Sequence, residues 1–377
     1  MQQLHLIRAR RLSWRDVPDP VLREPTDVLV RPFVAARCDG DTLPIHRPVS
    51  RVMQLGLHTG HVDPVVAGIC GRVPFQGPFA IGHECVAEVV EAGPDVSEFV
   101  VGDVVVVPWA VSCGECARCR RGLTAKCSTT AAGVLAAYGF GPASGGWGGM
   151  ISDLVRVPYA DHMLVKVPAG VDPLRVAAAS DNLADAWRCV VSPLVERPGG
   201  SVLVLGGAAQ SIGLYAAGLA VAHGAEVDYV DDDLDRLGIA EGLGARSHTV
   251  TARDIQRGRL PGRRYDIVVE ASSSAAGVRA GLRALEPGGV CTPVGYYVAP
   301  GTKVPLMHMY ANDITLHVGV SHVRPLLPDL LGFVARTGFA AEKVTTVLAD
   351  WDQAPEAYRA RTIKLVLQRP RLYAGRQ

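Results

Sequence analysis

The chain has 377 residues, which is more than one hydrophobic core usually serves, so we expect two domains. Hydrophobic residues make up 48% and charged residues 20%, and the formal net charge is +1, which indicates neither a nucleic-acid nor a membrane-surface partner. The first 20 residues show no apolar core between charges, so we predict no secretory signal. The nine cysteines then indicate a reducing, cytoplasmic compartment.

Residues 1 to about 160 are predicted to be rich in β-strands. Short runs such as Val28–Val30, Val86–Glu91 and Val104–Pro108 are separated by Gly, Pro and Asp. Their β-branched residues are typical of interior strands.

From about Pro168 to residue 320, apolar strand runs alternate with helical patterns. In chain order we predict strand Val202–Leu205, a helix near Ile212–His223, strand Glu226–Val230, a helix near Leu234–Leu243, strand Ile267–Glu270, a helix near Ala275–Leu285 and strand Val290–Val294. This alternation predicts a parallel sheet covered by helices on both faces. The last segment, 321–377, has a helical pattern near Leu326–Thr337 and a strand at Lys364–Gln368.

One apolar stretch, Val202–Ala222, is long enough to cross a bilayer. Glycines, Gln210 and Ser211 interrupt it, and a buried strand, a tight turn and a buried helix describe it better.

Four cysteines lie close together with the spacing C-x2-C-x2-C-x7-C: Cys113, Cys116, Cys119 and Cys127. This pattern is typical of a closed four-thiolate zinc site in a short loop. A disulfide knot and an iron–sulfur cluster are the weaker alternatives.

Further candidate metal ligands are Cys38, His83 in the run Gly82-His83-Glu84, and Asp181. A thiolate, an imidazole and a carboxylate can supply three protein ligands and leave a fourth zinc position open, which is the catalytic form of a zinc site. Taken singly, each of these residues is more often structural, as a lone Cys is usually a small core hydrophobe.

A glycine-rich turn, residues 206–213, follows the first strand of the alternating region. Such a turn lets backbone amides approach a pyrophosphate, although Ala208 and Gln210 occupy two of the glycine places of the G-x-G-x-x-G motif. Asp231 ends the second strand, 18 residues after Gly213, and can accept hydrogen bonds from both ribose hydroxyls. Two more aspartates follow it, which favours NAD over NADP; the alternative is an acidic cluster at a helix N-terminus.

On these residues the chain resembles the zinc-dependent alcohol dehydrogenases of the medium-chain dehydrogenase/reductase superfamily over nearly its whole length. The resemblance implies an α/β protein with a GroES-like β-rich catalytic domain (1–165, with the zinc lobe 113–127, and the returning segment 321–377) and a doubly wound Rossmann domain (166–320). The active cleft would lie at the join. It also implies two zinc ions and NAD for each chain, and a homodimer or homotetramer.

The resemblance further implies that Cys38, His83 and Asp181 bind the catalytic zinc, with Glu84 as a nearby acid able to approach the metal. The four-cysteine lobe would hold a structural zinc. The dinucleotide would be bound by Gly206, Gly207, Ser211, Ile212, Gly213, Asp231 and Arg236.

The chain departs from the family pattern where the alcohol proton is relayed. Gly40 stands where the family has a hydroxyl residue, Leu43 where it often has His, and Asp185 where it commonly has Thr. The replacement relay would use Thr42, Asp39, Asp41, Asp185 or water, unless the substrate needs no relay.

The 45 residues between Cys38 and His83 exceed the usual spacing. We expect an inserted loop at the substrate mouth, with a surface excursion of no function as the equal alternative. Trp109 falls where the family lines its substrate pocket with an aromatic residue, and a core aromatic is the alternative.

The predicted function is hydride transfer between NAD(H) and a small-molecule alcohol or carbonyl substrate. The alternatives are an NAD(P)H-dependent reductase of an activated C=C or iminium group on the same scaffold, and a non-catalytic dinucleotide-binding relative.

Overall fold

The computed structural model describes residues 1–131 and 133–373. It divides the chain into two compact units: residues 1–184 together with 321–377, and residues 185–320. The first unit is therefore discontinuous in sequence, because the chain returns to it after completing the second.

The strands, in chain order, are β1 Gln2–Arg8, β2 Arg11–Asp16, β3 Val28–Ala36, β4 Phe79–Ala80, β5 Glu84–Ala92, β6 Val104–Val106, β7 Val155–Val157, β8 Val165–Lys166, β9 Ser201–Leu205, β10 Glu226–Asp231, β11 Arg246–Thr249, β12 Tyr265–Glu270, β13 Leu285–Pro293, β14 Thr315–Leu316, β15 Val347–Asp350 and β16 Leu365–Gln368.

The α-helices are α1 Thr42–His46, α2 Ser50–Thr59, α3 Val65–Cys70, α4 Ala117–Arg120, α5 Ala160–Met163, α6 Asn182–Glu196, α7 Gln210–Ala222, α8 Leu234–Gly242, α9 Ala252–Gln256, α10 Ala275–Arg283, α11 Leu306–Ala311, α12 Val323–Thr337 and α13 Ala354–Ala357. Short 3-10 turns cover Asp39–Asp41, Thr124–Lys126, Pro142–Ser144, Pro173–Val176, Ala341–Val344 and Trp351–Gln353. Within the described residues, no helix combines the length and the apolar character that a membrane crossing requires.

The first unit is built on a seven-stranded sheet in the order β15-β16-β3-β5-β6-β8, with β7 added beside β3. Its pairings are antiparallel except for β15 with β16. The central strands β3 and β5 are almost wholly buried, as their β-branched and small apolar residues require. The late strand β16 pairs with β3, so the end of the chain completes this sheet.

The second unit contains a six-stranded parallel sheet in the order β11-β10-β9-β12-β13-β14. Strand β9, the first strand of this sheet in sequence, lies between β10 and β12. The later strands are added first on one side of β9 and then on the other, which makes β9 the switch point of the strand order. Ligands of doubly wound sheets bind outside the carboxyl ends of strands at such a switch point. The long apolar stretch is strand β9 followed by helix α7, whose residues 211–220 are all buried.

The segment between Cys38 and His83 is helical, so the prediction of an inserted loop is wrong about its structure. Helix α2 ends at Gly60, which adopts a left-handed conformation with φ of 73°. Helix α3 packs through Gly68 against Val134, where a Cβ atom would collide with the valine side chain. The periodicity of this segment was too short to distinguish two brief helices from a loop.

Candidate metal centre and dinucleotide site

Three segments of the first unit bring Cys38, His83 and Asp181 together. Cys38 follows β3 and His83 precedes β5, and the antiparallel pairing of these strands places the end of one beside the start of the other. Asp181 follows Ser180, whose hydroxyl donates to the carbonyl of Cys85 at 3.1 Å and accepts from its amide at 3.0 Å. The sheet therefore fixes all three side chains.

The ligating atoms of Cys38, His83 and Asp181 lie within 4.8 Å of one another. Sγ of Cys38 is 3.0 Å from Oδ2 of Asp181, and Nε2 of His83 is 3.3 Å from the same oxygen. Sulfur, imidazole nitrogen and carboxylate oxygen are the donors that zinc takes, and three protein ligands are typical of a catalytic site. The side chains therefore fit a zinc ion.

Without a cation, these three side chains favour protonated forms of Cys38 and His83 that a bound metal would displace. Burial raises the pKa of Cys38 well above its usual range, and Asp181 and Glu84 raise it further. Burial lowers the pKa of His83, but the charges of Asp41 and Asp181 outweigh it and raise this pKa to about 9. A divalent cation would favour the thiolate and the neutral imidazole, because metal ligands must lose their protons.

Asp41 faces the second ring nitrogen of His83. Its Oδ1 is 3.8 Å from Nδ1 of His83, and that nitrogen has no hydrogen-bond partner among the described residues. A ligating histidine commonly donates its other N–H to a carboxylate, which fixes the tautomer and the ring orientation. Asp41 is thus placed to orient His83.

Glu84 forms a fully buried ion pair with Lys364, with Nζ 2.6 Å from Oε2 and neither side chain exposed. Burial raises the pKa of Glu84 to about 7, although the charge of Lys364 opposes this shift. Lys364 also donates to the carbonyl of Arg37 at 3.0 Å and to Oδ1 of Asn182 at 2.8 Å. The predicted acid, Glu84, is therefore held by Lys364, a buried cation that directly precedes β16.

The relay candidates Thr42 and Asp185 are both engaged. The hydroxyl of Thr42 donates to the carbonyl of Asp39 at 2.6 Å, and a carbonyl cannot pass a proton onward. Asp185, which belongs to the second unit, accepts a hydrogen bond from Arg188. Gly40 donates its amide to Sγ of Cys38 at 3.3 Å and offers no hydroxyl.

Two aromatic residues, Phe140 and Trp109, form a row that begins at His83. The ring of Phe140 is 4.7 Å from that of His83 and 5.6 Å from that of Trp109, measured between centroids. The amide of Trp109 donates to the carbonyl of Ser180 at 3.2 Å, next to Asp181 in sequence. Trp109 therefore lies beside the metal ligands, where the resemblance placed an aromatic.

The sulfur atoms of the four-cysteine lobe also lie within 4.8 Å of one another, and none of these cysteines is in a disulfide. Backbone amides approach the sulfurs at 3.4–3.5 Å: those of Cys113, Cys116 and Cys119 donate to Cys127, Cys113 and Cys116, respectively. Four thiolates fill a tetrahedral zinc shell and leave no position for a substrate. This arrangement fits a structural zinc.

In the second unit, Gly206 and Gly207 form a close turn directly after β9. A Cβ atom on Gly206 would collide with Oδ2 of Asp231 and lie 2.6 Å from the hydroxyl of Tyr229. Gly207 has φ of 145°, and a Cβ there would lie 2.7 Å from Cα of Ser272. Both places require glycine for reasons that the sequence motif alone did not give.

Ser211 and Ile212 lie in the first turn of α7, which follows this turn, and Gly213 packs closely beneath it. A Cβ on Gly213 would lie 3.3 Å from that of Ala271 at the end of β12. Helix α7 is 13 residues long, and the positive end of its dipole suits a phosphate.

Asp231 is already paired with Arg236 through two hydrogen bonds, of 2.7 Å from Nε and 2.6 Å from Nη2. It also accepts from the Tyr229 hydroxyl at 3.0 Å, and its side chain is 1% exposed. A ribose diol would therefore compete with Arg236 for the carboxylate oxygens.

Sequence reasoning missed Asn182, Lys364 and Phe140. Asn182 adjoins a predicted ligand and begins a helix, a weak signal that suits a cap equally well. Lys364 and Phe140 gave no signal, because only tertiary packing brings them to the centre.

The comparisons with known proteins cover both units. The family described as "Alcohol dehydrogenase GroES-like domain" matches residues 24–169, and the family described as "Zinc-binding dehydrogenase" matches residues 211–335. A probable zinc-binding alcohol dehydrogenase of Mycobacterium tuberculosis is 31% identical over 310 residues, which are 79% of this chain and 77% of that protein.

A glutathione-independent formaldehyde dehydrogenase of Pseudomonas aeruginosa is 38% identical over 167 residues, which are 43% of this chain and 41% of that protein. Among solved structures, alcohol dehydrogenase TADH from Thermus sp. ATN1 aligns with a TM-score of 0.79 at 28% identity, covering 98% of this chain and 99% of that one.

The predicted combination of a GroES-like fold and a Rossmann-like parallel sheet is therefore confirmed. Identity of 31% across 79% of the chain goes beyond a shared fold, and the two matched families follow in the order that the alcohol dehydrogenases require. The chain belongs to the zinc-dependent alcohol dehydrogenases of the medium-chain dehydrogenase/reductase superfamily.

Proposed function

We propose that this protein transfers a hydride between NAD(H) and a small alcohol or carbonyl substrate, with zinc as a resident cofactor. The observation that carries the proposal is the cluster of Cys38, His83 and Asp181, whose ligating atoms lie within 4.8 Å of one another. Three protein ligands leave one tetrahedral position for a substrate oxygen. When bound, zinc supplies Lewis-acid polarisation of that oxygen and lowers the pKa of an alcohol hydroxyl.

Residues around the proposed zinc ligands support this chemistry. Asp41 faces the second ring nitrogen of His83 at 3.8 Å, and Lys364 holds Glu84 in an ion pair. As a thiolate and a carboxylate, Cys38 and Asp181 would attract a cation, and Cys38 is buried while Asp181 is partly buried.

The proton released by an alcohol needs a path, and Thr42 is a poor carrier in the observed arrangement. Its hydroxyl hydrogen is donated to a backbone carbonyl and would have to leave it before passing a proton. We propose water as the acceptor, because Gly40 offers no hydroxyl.

The dinucleotide is proposed to bind at the switch point of the second unit. Gly206 and Gly207 allow its pyrophosphate to approach the backbone, and the N-terminus of α7 favours the negative charge. Asp231 would receive the ribose hydroxyls in competition with Arg236. The acidic residues 231–233 support NAD over NADP, because they oppose a 2′-phosphate.

Small aldehydes and alcohols are the first substrates to test. Two relatives named as a formaldehyde dehydrogenase and a formaldehyde dismutase share 38% and 34% identity with this chain, each over less than half of its length. The apolar ring of Phe140 beside His83, and that of Trp109 beside Phe140, also suit a small uncharged substrate.

A metal count combined with a substrate screen tests the proposal. We expect two zinc ions for each chain, with Cys38→Ser losing one zinc together with all turnover. Cys116→Ser, the matched control in the lobe, should lose the other zinc. Turnover that survives the loss of zinc from the Cys38 site would refute the proposed chemistry.

A reductase of an activated C=C or iminium group is the second candidate. It is favoured by Gly40 and by the engaged hydroxyl of Thr42, because such a reduction requires no relay from an alcohol. Gly40→Ser separates the two functions. A large gain in alcohol oxidation supports the dehydrogenase, whereas the absence of alcohol turnover in every variant supports the reductase.

A further inference from the structure

Asn182 contacts two of the three candidate zinc ligands through one amide group. Its Nδ2 donates to Sγ of Cys38 at 3.2 Å and to Oδ2 of Asp181 at 3.1 Å. Its backbone amide donates to Oε1 of Glu84 at 2.8 Å. The residue is completely buried, so each of these bonds forms away from bulk water.

The direction of the Asn182 amide is fixed by donors on its other side. Oδ1 accepts from Nζ of Lys364 at 2.8 Å and from the amide of Asp39 at 3.2 Å. Neither of these groups can accept a hydrogen bond. A reversed amide would place NH2 against two donors and its oxygen against a sulfur and a carboxylate, so the network selects one orientation.

Lys364 is itself held in one position. Its Nζ donates to Oε2 of Glu84 at 2.6 Å and to the carbonyl of Arg37 at 3.0 Å, as well as to Asn182. Since Lys364 is fully buried, this geometry is rigid compared with that of a surface lysine.

We propose that Asn182, oriented by Lys364, is a positioning residue that holds the Cys38 sulfur and the Asp181 carboxylate together in the arrangement that binds zinc. The two ligands are anions when they coordinate a metal, and they repel each other at short range. The NH2 group of Asn182 donates to both ligands, which offsets this repulsion and fixes the orientation of the Cys38 and Asp181 side chains. The inference rests on the proposed zinc site, and it concerns the affinity and geometry of that site rather than turnover.

The test compares zinc binding in the wild type and in Asn182→Leu, which preserves the side-chain shape and removes both donors. Chelator competition should show zinc at the Cys38 site bound about 10–100-fold more weakly, the usual cost of losing a partner of a metal ligand. Zinc in the four-cysteine lobe should be unchanged and serves as an internal control. Asn312→Leu is the matched control, since the side-chain amide of Asn312, in the second unit, donates to the carbonyl of His308.

Substituting cobalt for zinc gives a spectroscopic measurement that a purely structural role of Asn182 would leave unchanged. With cobalt at the Cys38 site and zinc in the lobe, the sulfur-to-cobalt charge-transfer band should shift to longer wavelength in Asn182→Leu, because the sulfur loses its hydrogen bond. Lys364→Met, which removes a donor from Oδ1 of Asn182, should also weaken zinc binding at this site. Zinc affinity within about twofold of wild type in Asn182→Leu, with an unshifted band, overturns the inference.

If Asn182→Leu loses both zinc ions, Asn182→Ala repeats the measurement without added bulk. Loss of both ions from both variants shows a purely structural role and overturns the inference. A wild-type chain that binds zinc only in the lobe contradicts the proposed function itself. The number of zinc ions bound by the wild type therefore tests the proposed function, and the zinc affinity of the Asn182 variants tests the positioning role of Asn182.

Discussion

The Asp231 carboxylate is paired with Arg236, and under our proposal the same carboxylate would also bind the ribose of NAD. Removing that carboxylate should have opposite effects on the two dinucleotides. NAD loses its ribose acceptor, whereas the freed guanidinium can pair with the 2′-phosphate of NADP.

We expect Asp231→Ala to weaken NAD binding by about 10–100-fold, as for the loss of hydrogen bonds to a charged group, and to strengthen NADP binding. Titration calorimetry with both dinucleotides measures the ratio. Asp232→Ala is the control, because that side chain is 59% exposed. Unchanged affinity for NAD in Asp231→Ala would remove the ribose assignment.

Glu270, at the end of β12, is completely buried and accepts hydrogen bonds from Ser272 and Tyr297. Burial raises its pKa from 4.5 to about 7, although the bonds from Ser272 oppose the shift. As pH rises from 4.5 to 7, the unfolded chain releases this proton while the folded chain retains it. Folding is therefore destabilised across that window, by up to ~3 kcal/mol, with no further change from this group above it.

Glu270→Gln should abolish this dependence. The thermal midpoint of the wild type, relative to that of the variant, is expected to fall between pH 4.5 and 7 and then to level off. Scanning calorimetry without cofactor measures it, with the exposed Glu286→Gln as control. A difference that stays constant across the window contradicts the buried neutral carboxyl.

At the scale of elements, the β9–α7 turn tolerates no side chain at Gly206, whereas helix α8 has room for one at Gly238. We expect Gly206→Ala to cost about 1–3 kcal/mol through overpacking against Asp231 and Tyr229, and to abolish tight dinucleotide binding. Gly238→Ala meets no atom within 4 Å and should stabilise its helix by about 0.5–1 kcal/mol. Urea unfolding and NAD titration of both variants test the contrast, and equal behaviour would contradict it.

The elements themselves followed from local sequence wherever the pattern was long. Strand β9 and helix α7 were predictable because Val, Leu and Ala fill consecutive buried positions, and glycines mark the turn between them. Helices α2 and α3 were missed because they are short and expose apolar residues such as Val52 and Leu55, which obscures an amphipathic pattern.

At the scale of the whole molecule, the two proposed metal sites should differ in how easily they release zinc. Four thiolates enclose the lobe site, whereas the Cys38 site has three protein ligands and one exchangeable position. Brief treatment with a chelator should therefore yield a folded chain with one zinc and no turnover. Metal analysis and circular dichroism would reveal this species, and simultaneous loss of both ions would contradict it.

The metal centre also shows where sequence reasoning stops. Its ligands are recognisable because Cys, His and Asp are chemically distinctive and occur in a familiar order. Lys364 lies 182 residues beyond Asn182, and only the pairing of β16 with β3 brings it to the centre. No local pattern encodes such a contact, so the groups that orient the ligands appear only in the folded chain.

The return of residues 321–377 to the first unit sets the order in which the metal sites can be completed on the ribosome. The lobe cysteines all lie within residues 113–127, so they can bind zinc while most of the chain is still unmade. Lys364 and β16 are made long after the lobe, and until then the other proposed centre lacks its orienting cation and its sheet partner. We therefore expect the lobe to be able to bind zinc during synthesis, and the proposed Cys38 centre to be complete only after Lys364 and β16 have been made.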